Sequence, residues 1–365
     1  MSDNSNIGDR VRLIAVGIEN YRHLGRLPGP ASDVQRIKRL LSDDEDTAVM
    51  SPDRATYLYD IDSATLRKTL TDFALGRSAE NDILVLYFSG HATRIGNSDL
   101  GLCTIDSIVH PAVGTIPPLS LVRFTDIVET LAAVSVDPVI IIDACYSGTA
   151  GRSIQIVYEE LKRQIQAATG SNYALLCSSR SDEASDTLFS GGVFSEVLFS
   201  TAKAGSTLED HRRSPWLGLQ DLYPAIRREL ELRDSSKPQM FIGATLPRFP
   251  FVRNVRYEPR TERFHPSHKR TLQVLWNRGS PIEIETSRLI GYGSTTYTTN
   301  KKLGYSPAWA LLKEEGTRVL LTKRGIDFIE GRIEIPLIII KNELTGEWNA
   351  APDSKFAAFD EIRAP

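Results

Sequence analysis

The sequence contains few cysteines, no long hydrophobic run and no strong excess of charge of one sign. Cys103, Cys145 and Cys177 are an odd number without the spacing of metal ligands, which argues against a disulfide-stabilised secreted fold. No apolar stretch approaches the ~20 residues of a membrane span. The first nine residues lack the basic and apolar regions of a signal peptide. We therefore expect a soluble, cytoplasmic protein.

The net charge of −3 gives no whole-chain argument for binding nucleic acid or membranes. Residues 255–365 carry 17 Lys and Arg against 14 Asp and Glu, a net of +3, which leaves −6 for residues 1–254. The 365 residues are enough for two domains. We predict a disordered leader at 1–9, a large domain at 10–254, a charged connector at 255–265 and a smaller domain at 266–365.

Short apolar runs alternate with amphipathic segments in the large domain, which predicts a parallel-dominated α/β sheet covered by helices. The run Val139–Ile142 has no polar alternation, as is typical of a strand buried on both faces. Ser63 is expected to cap the second helix. The predicted strands are 11–18, 56–59, 82–91, 101–106, 139–142, 172–179 and 249–254, the last completing the sheet. The predicted helices are 31–41, 63–75, 124–134, 152–168, 194–202 and 219–232.

Two of these strands end on residues with chemical function. One apolar run closes on Ser89, Gly90 and His91, and another closes on Asp143 and Cys145. Neighbouring parallel strands would bring the histidine and the cysteine to the edge where open α/β sheets bind ligands. A thiol needs a nearby base or cation to be a nucleophile at neutral pH, so the pair is a candidate catalytic dyad. The alternative is two unrelated core residues.

The segments Tyr87–His91 and Asp143–Gly148, whose His and Cys are 54 residues apart, resemble the caspase and metacaspase superfamily of cysteine endopeptidases. Bacterial metacaspase-like and caspase-like members are the most similar in pattern. Supporting similarity comes from Leu13–Gly17, Gly29–Asp33 and Ser178–Asp186. The resemblance implies a caspase-like, mostly parallel six-stranded sheet flanked by helices over residues 10–254.

The resemblance assigns Cys145 as the nucleophile and His91 as the general acid–base. Backbone N–H groups of Ala92 and Cys145 would form the oxyanion hole. This chain has Ala92 where the family usually has Gly, which leaves an N–H but fewer backbone conformations. No side chain is an obvious candidate for orienting His91, so we expect a backbone carbonyl to do so.

Substrate preference follows from Asp143, which stands two residues before the cysteine, where caspases that cut after Asp carry Gln. Asp33 and Ser89 match two further pocket positions of metacaspases, and Asp182 is a weaker candidate. Carboxylates at the base of a narrow S1 pocket favour Arg or Lys as the P1 residue of the substrate. The alternative for Asp33 is that it caps the first helix.

Many metacaspases require calcium held by a cluster of carboxylates. The segment after His91 contains only Asp99 and Asp106, and Arg152 falls where a further carboxylate would be needed. We therefore expect no cofactor and consider calcium dependence improbable.

The smaller domain is expected to be α+β. Residues 309–325 predict a helix end, a turn, a strand and the start of another helix, an order similar to a winged-helix domain. Such a domain would contact DNA phosphates through Lys301, Lys302, Lys323 and Arg324. With a net charge of only +3, binding of an activating ligand or partner protein is favoured over DNA.

Two functions are consistent with the sequence. The first is a cysteine endopeptidase that cleaves proteins after Arg or Lys and is regulated by its C-terminal domain, in a role in bacterial antiviral defence or programmed cell death implied by the resemblance. The second is a catalytically silent caspase-like scaffold whose C-terminal domain binds nucleic acid or senses a ligand. The presence of both His91 and Cys145 favours the first.

Overall fold

The computed structural model divides the chain into two compact units, Met1–His211 with Trp216–Tyr257 and Arg212–Pro215 with Glu258–Pro365. The predicted leader at 1–9 and Asp182 lie outside the described residues. The structure describes residues 10–76, 82–96, 99–112, 114–134, 136–146, 152–170, 173–180, 192–233, 238–243, 249–264, 269, 272–273, 275–277, 279, 282–283, 309–315, 318–342 and 346–362.

The first unit is built on a sheet whose central path runs β2-β1-β3-β6-β7-β9. Neighbouring strands from β2 to β7 are parallel, and β9 is antiparallel to β7. This confirms the predicted mostly parallel α/β sheet, although β4 and β5 also join it through β3, so the sheet has eight strands among the described residues instead of the predicted six. The strands of this unit up to β9 are β1 Val11–Gly17, β2 Ala55–Tyr59, β3 Ile83–Ile95, β4 Asp99–Leu102, β5 Val122–Arg123, β6 Asp137–Tyr146, β7 Ala174–Arg180, β8 Trp216–Leu217 and β9 Gln239–Ile242.

The prediction that residues 249–254 complete the sheet is wrong. Gln239–Ile242 is the edge strand, and Val252–Arg253 (β10) pairs instead with β8 in a separate two-stranded sheet. The apolar pattern at Phe249 and Phe251 correctly indicates burial, because both side chains lie in the core. The edge strand β9 is only half-buried, so its sequence carries little of the pattern that marks a central strand.

Helices cover both faces of the sheet, and each face has its own core. Helices α1, α5 and α6 pack on one face, and α2, α3 and α4 pack on the other. In the part of the chain that the structure describes, no helix is long and apolar enough to span a membrane. The helices are α1 Pro30–Lys38, which continues as a π-turn over Arg39–Asp43, α2 Ser63–Leu75, α3 Phe124–Ala132, α4 Arg152–Thr169, α5 Val193–Ala204 and α6 Leu219–Leu232.

The start of α2 differs from the prediction in its capping residue. Asp62 is the N-cap, and its carboxylate accepts the backbone N–H of Thr65 at 2.8 Å. Ser63 is the first helical residue, and its hydroxyl donates to Asp106 at 2.8 Å. Serine and aspartate are both good N-caps, so composition alone cannot choose between neighbours.

The second unit contains small antiparallel sheets around an aromatic core that includes Trp309, Phe328 and Phe359. Strand β11, in the segment predicted as a connector, pairs with β16. The elements are β11 Thr261–Arg263, β12 Ile282–Glu283, β13 Leu312–Glu315, β14 Arg318–Leu321, α7 Lys323–Ile329, β15 Ile335–Pro336, β16 Ile338–Lys341, β17 Trp348–Ala350 and β18 Phe356–Ala357.

The helix end predicted after Trp309 is wrong, because Leu312–Glu315 is a strand that forms a hairpin with β14. Trp309 itself is fully buried, and its Nε1 donates to the carbonyl of Pro336 at 2.7 Å. The helix predicted after this strand is present as α7, and Thr322 caps it through Gly325. Arg324 donates to the Trp309 carbonyl at 3.2 Å. Lys301 and Lys302 lie outside the described residues, and the winged-helix assignment stays a prediction.

The sheet core sets a clear expectation for stability. Leu175 on β7 is fully buried, whereas Leu119 is 98% exposed. Leu175→Ala leaves a cavity in the core and should lower the free energy of unfolding by about 2–5 kcal/mol. Leu119→Ala, the matched control, should change it by less than about 0.5 kcal/mol. Chemical denaturation measures both variants, and equal effects would contradict the assigned core.

Candidate active site

The pairing of β3 with β6 brings the two predicted catalytic positions together. The strands are parallel neighbours, with His91 opposite Cys145 and Ser89 opposite Asp143. Tyr87 of β3 and Ile141 of β6 face the core beneath α1 and α5, and successive side chains of a strand alternate between faces. Positions 89, 91, 143 and 145 therefore belong to that same face, near the carboxyl ends of both strands. The side chain of Cys145 lies outside the described part of the structure.

The imidazole of His91 is held by the loop that follows β1. Its Nε2 lies 3.0 Å from the carbonyl oxygen of Gly25, and its backbone N–H donates to the hydroxyl of Tyr21 at 2.7 Å. The two rings are 4.8 Å apart between centroids. The carbonyl accepts only from a protonated Nε2, so in the neutral ring Nδ1 is the basic nitrogen. A backbone carbonyl thus contacts the ring, which is the kind of group that we expected to orient it.

The loop carrying Tyr21 and Gly25 is held in place by two carboxylates. Asp60 accepts the backbone N–H groups of Glu19 and Asn20 at 2.7 and 3.0 Å, and also the Asn20 side-chain amide. Glu19 in turn accepts the N–H groups of Gly29 and Ala31 at the start of α1. Asp60 has a positive φ of 47°, a conformation that is uncommon outside glycine. The loop thus has fixed contacts on both sides of the residues that touch His91.

Burial excludes two of the three cysteines as nucleophiles. Burial raises the pKa of Cys103 to about 12 and raises that of Cys177 further. Both thiols are therefore protonated at neutral pH, and only a thiolate is a strong nucleophile. Cys177 lies inside β7, and Cys103, which follows β4 and contacts the His91 backbone, is completely buried. Cys145 therefore remains the candidate.

The backbone at Ala92 is directed towards the cysteine strand. The His91 carbonyl accepts the N–H of Cys103, so that pair is hydrogen-bonded across β3 and β4. Hydrogen-bonded and non-hydrogen-bonded pairs alternate in an antiparallel ladder, which makes Ala92–Leu102 a non-hydrogen-bonded pair. The N–H of Ala92 therefore faces β6, with which Ala92 is paired opposite Tyr146, and the oxyanion assignment stays a prediction. Its methyl group is completely buried among core residues.

The predicted pocket residues form a buried polar cluster on the same face. Asp33 and Ser89 are fully buried, Asp143 is 1% exposed, and Ser89 donates to the Asp33 carboxylate at 2.8 Å. Asp143 accepts from the hydroxyl of Tyr87 at 3.3 Å. The structure therefore brings Asp33, Ser89 and Asp143 together.

Asp33 does not cap its own helix, because the N-cap of α1 is Gly29 and no side chain caps it. Its Oδ1 instead accepts the N–H of Gly192 and the hydroxyl of Ser195, each at 2.6 Å, at the start of α5. A carboxylate is favourable at a helix N-terminus, where backbone N–H groups lack partners inside the helix. The alternative interpretation, that Asp33 caps the first helix, is therefore wrong: its carboxylate binds the start of α5 instead.

Several residues of the site have no signal in the sequence. Tyr21 and Gly25 lie in a loop rich in Gly and Pro without a motif, and Ser195 lies inside an ordinary amphipathic helix. Their contacts with His91 and Asp33 depend on chain segments up to 162 residues apart. Among the residues that the structure describes, no group of three His, Cys, Asp or Glu side chains is arranged to hold a metal ion.

A mostly parallel α/β sheet with this order of strands, flanked by helices and carrying a histidine opposite a cysteine, defines a caspase-like fold. The model of the caspase domain family matches residues 10–248. The chain belongs to this family of cysteine peptidases.

Three solved caspase structures are similar to the chain at low sequence identity. The Drosophila initiator caspase Dronc is 12% identical, with a TM-score of 0.44 over 68% of this chain and 84% of that chain. Caspase-1 from Spodoptera frugiperda is 13% identical, with a TM-score of 0.40 over 65% and 88%. The pro-sf-caspase-1 structure is 13% identical, with a TM-score of 0.41 over 67% and 98%. No curated protein matches the chain.

The contact between Tyr21 and the His91 backbone gives a test of the site that needs no substrate. Tyr21→Phe removes the hydroxyl that accepts this N–H. Losing the hydrogen bond should cost about 1.4 kcal/mol of the free energy that holds His91 in place, which corresponds to a tenfold change in rate. We expect alkylation of Cys145 by iodoacetamide near neutral pH to slow about tenfold. The pH dependence of the rate reports the thiolate directly.

Tyr223→Phe is the matched control, because the Tyr223 hydroxyl donates to the carbonyl of Pro238 at 2.8 Å beside β9. Tyr223→Phe also removes a tyrosine hydroxyl that is hydrogen-bonded to the backbone, but far from His91 in the sequence, and should leave the alkylation rate unchanged. Equal rates for wild type and Tyr21→Phe would mean that Tyr21 does not position His91.

Proposed function

We propose that the protein is a cysteine endopeptidase with His91 and Cys145 as its catalytic dyad. The observation that carries this proposal is the register of β3 and β6, which sets His91 opposite Cys145 while the Gly25 carbonyl holds Nε2. Nδ1 is then the nitrogen able to take the thiol proton. The two buried, protonated cysteines support the assignment of Cys145 as nucleophile by elimination.

The proposed reaction has two steps. The Cys145 sulfur attacks the peptide carbonyl carbon, and the N–H groups of Ala92 and Cys145 donate to the oxygen as it becomes negative. His91 then gives the proton it received to the departing amine, the C–N bond breaks and an acyl-enzyme remains. In the second step His91 takes a proton from water, the hydroxide displaces the sulfur, and the carboxylic acid product leaves.

The substrate is a protein with Arg or Lys at P1. The buried cluster of Asp33, Ser89 and Asp143 supports this preference, because its acidic groups lie on the same sheet face as the dyad positions. Asp182 belongs to the proposed S1 pocket by its position in the sequence. A guanidinium binds carboxylates with two parallel hydrogen bonds, so Arg should be preferred over Lys.

The remaining parts of the proposal concern context. The protein acts in the cytoplasm, which the reduced, buried state of Cys103 and Cys177 supports. The second unit binds an activating ligand or partner protein. This role is favoured over DNA binding because Arg324, one of the predicted phosphate contacts, donates to the Trp309 carbonyl. The resemblance to bacterial caspase-like proteins implies a role in antiviral defence or programmed cell death.

Fluorogenic peptides with Arg, Lys or Asp at P1 test the activity. The full chain should cleave the Arg and Lys peptides, and Cys145→Ala and His91→Ala should each lower kcat/KM by at least about a thousandfold, because each removes a group that makes or breaks a bond. Cleavage of the Asp peptide alone would reject the basic pocket. Cleavage that survives in Cys145→Ala would reject the nucleophile.

Metal removal is a separate test. With Asp99 bound to Arg123 and Asp106 bound to Ser63 and Thr104, the acidic residues after His91 are already used in structural contacts. We expect the rate of Arg-peptide cleavage to be the same with a calcium chelator and with added calcium. A rate that falls at least about tenfold in the chelator and recovers with calcium would contradict this expectation.

A further inference from the structure

A cavity lies between the first two strands of the sheet and α2. Its volume of about 420 Å³ is within the range of small-molecule sites. Strand β1, the turn before β2, β2 itself and the second half of α2 all contribute to its walls. The lining residues with the most distinctive chemistry are Arg12, Asp53, Arg54, Thr56, Asp72 and Phe73. The cavity therefore combines two guanidinium groups with an aromatic surface.

This cavity is separate from the proposed active site. In the register of β1 and β3, Arg12 is opposite Leu84, and His91 follows seven residues later on the same strand. At about 3.3 Å per residue, that is about 23 Å along the strand. Arg12 also stands between Val11 and Leu13, which pack in the core beneath α1, so its side chain belongs to the other face of the sheet. A ligand in the cavity would leave the substrate pocket open.

Arg54 contributes a guanidinium whose hydrogen bonds the fold does not complete. Its Nη1 is buried and has no hydrogen-bond partner in the part of the chain that the structure describes. A buried donor without a partner is unfavourable, and more so when the group is charged. Because Arg54 lines the cavity, an acceptor carried by a ligand there would satisfy this guanidinium.

Arg12 brings a second guanidinium to the same cavity. Its Nε donates to Asp82 at 3.0 Å, and its side chain is 36% exposed. This bond involves Nε, so the terminal nitrogens of the guanidinium can donate to a ligand. The contact with Asp82 also holds the guanidinium in place, which lowers the entropy cost of binding.

The two carboxylates that line the cavity are exposed to solvent. Asp72 pairs with Lys68, one turn earlier on α2. The pKa of Asp53 is lowered mainly by the hydrogen bond that the Ser51 hydroxyl donates, and the charge of Arg54 has a smaller effect. Water and salt screen exposed charges. These carboxylates therefore oppose a bound anion less than the half-buried arginines attract it.

We infer that this cavity binds a small ligand that carries a phosphate or carboxylate group beside an aromatic or apolar part. The oxyanion binds Arg54 and Arg12, because a guanidinium forms paired hydrogen bonds with two oxygens of either group. The hydroxyl of Thr56 is a further donor at the cavity wall. The apolar part of the ligand packs against Phe73, which is itself packed on the core of this face. The site is additional to the proposed peptidase activity and does not depend on it.

Calorimetry with the full chain tests the site with three probes that share one ring. Phenyl phosphate is the phosphate probe, benzoate is the carboxylate probe and phenol is the neutral probe. At least one anion should bind with a Kd of about 1 mM or below, and phenol should bind at least about tenfold more weakly. The anion that binds more tightly identifies the oxyanion. Binding of neither anion, or equal binding of phenol, would overturn the inference.

Two variants locate the bound anion. Arg54→Gln should raise the Kd of the better anion at least about tenfold, because it removes the guanidinium fork. Arg39→Gln is the matched control and should leave the Kd unchanged. Arg39 is an exposed arginine in the π-turn after α1, which packs on the other face of the sheet. An unchanged Kd in a folded Arg54→Gln protein would show that the anion binds elsewhere.

Chemical modification tests the site without any substitution. Phenylglyoxal modifies accessible arginines, and mass spectrometry of the digested protein gives the extent of reaction at each one. The better anion should protect Arg54 and leave Arg39 unprotected. Prior alkylation of Cys145 with iodoacetamide should leave the Kd of the anion unchanged, because the cavity lies at the other end of the strands. Equal modification of Arg54 with and without the anion, or loss of binding after alkylation, would contradict the assigned site.

Discussion

The parallel register between β3 and β6 is the constraint on which the site depends. One register sets His91 opposite Cys145 and Ser89 opposite Asp143, so the dyad positions and the pocket positions are fixed together. A slip of one residue would turn every side chain of a strand to the other face. The apolar residues earlier in both strands, such as Tyr87 and Ile141, are buried in one core. Hydrophobic packing therefore determines the geometry of the site.

Two described contacts orient the histidine, one to its ring and one to its backbone. The Gly25 carbonyl fixes the tautomer, and the Tyr21 hydroxyl fixes the backbone of His91. The carboxylates that support this arrangement, Glu19 and Asp60, act one step away by holding the loop through backbone N–H groups.

Much of the fold could be predicted from local patterns, and the errors have physical causes. Buried strands such as β6 and amphipathic helices such as α6, whose bounds Leu219–Leu232 were predicted without error, carry their own signal. The edge strand β9 does not, since half-buried residues need no regular pattern, and the more apolar segment Phe249–Asn254 was taken for it. In the site, the strand-end residues were predictable because a parallel sheet gathers strand ends at one edge. The contacts of Tyr21 and Arg36 were not, because they depend on how distant segments pack.

Burying two carboxylates near one serine requires compensation. Asp33 and Asp143 flank Ser89, through a hydrogen bond on one side and strand register on the other, and both are almost completely buried. A buried carboxylate is unfavourable unless hydrogen bonds or an opposite charge compensate for its lost hydration. The helix supplies the remedy locally, since Arg36 reaches Asp33 from the next turn of α1. Together with the N–H of Gly192 at the start of α5, this contact compensates the buried charge of Asp33 within the fold itself.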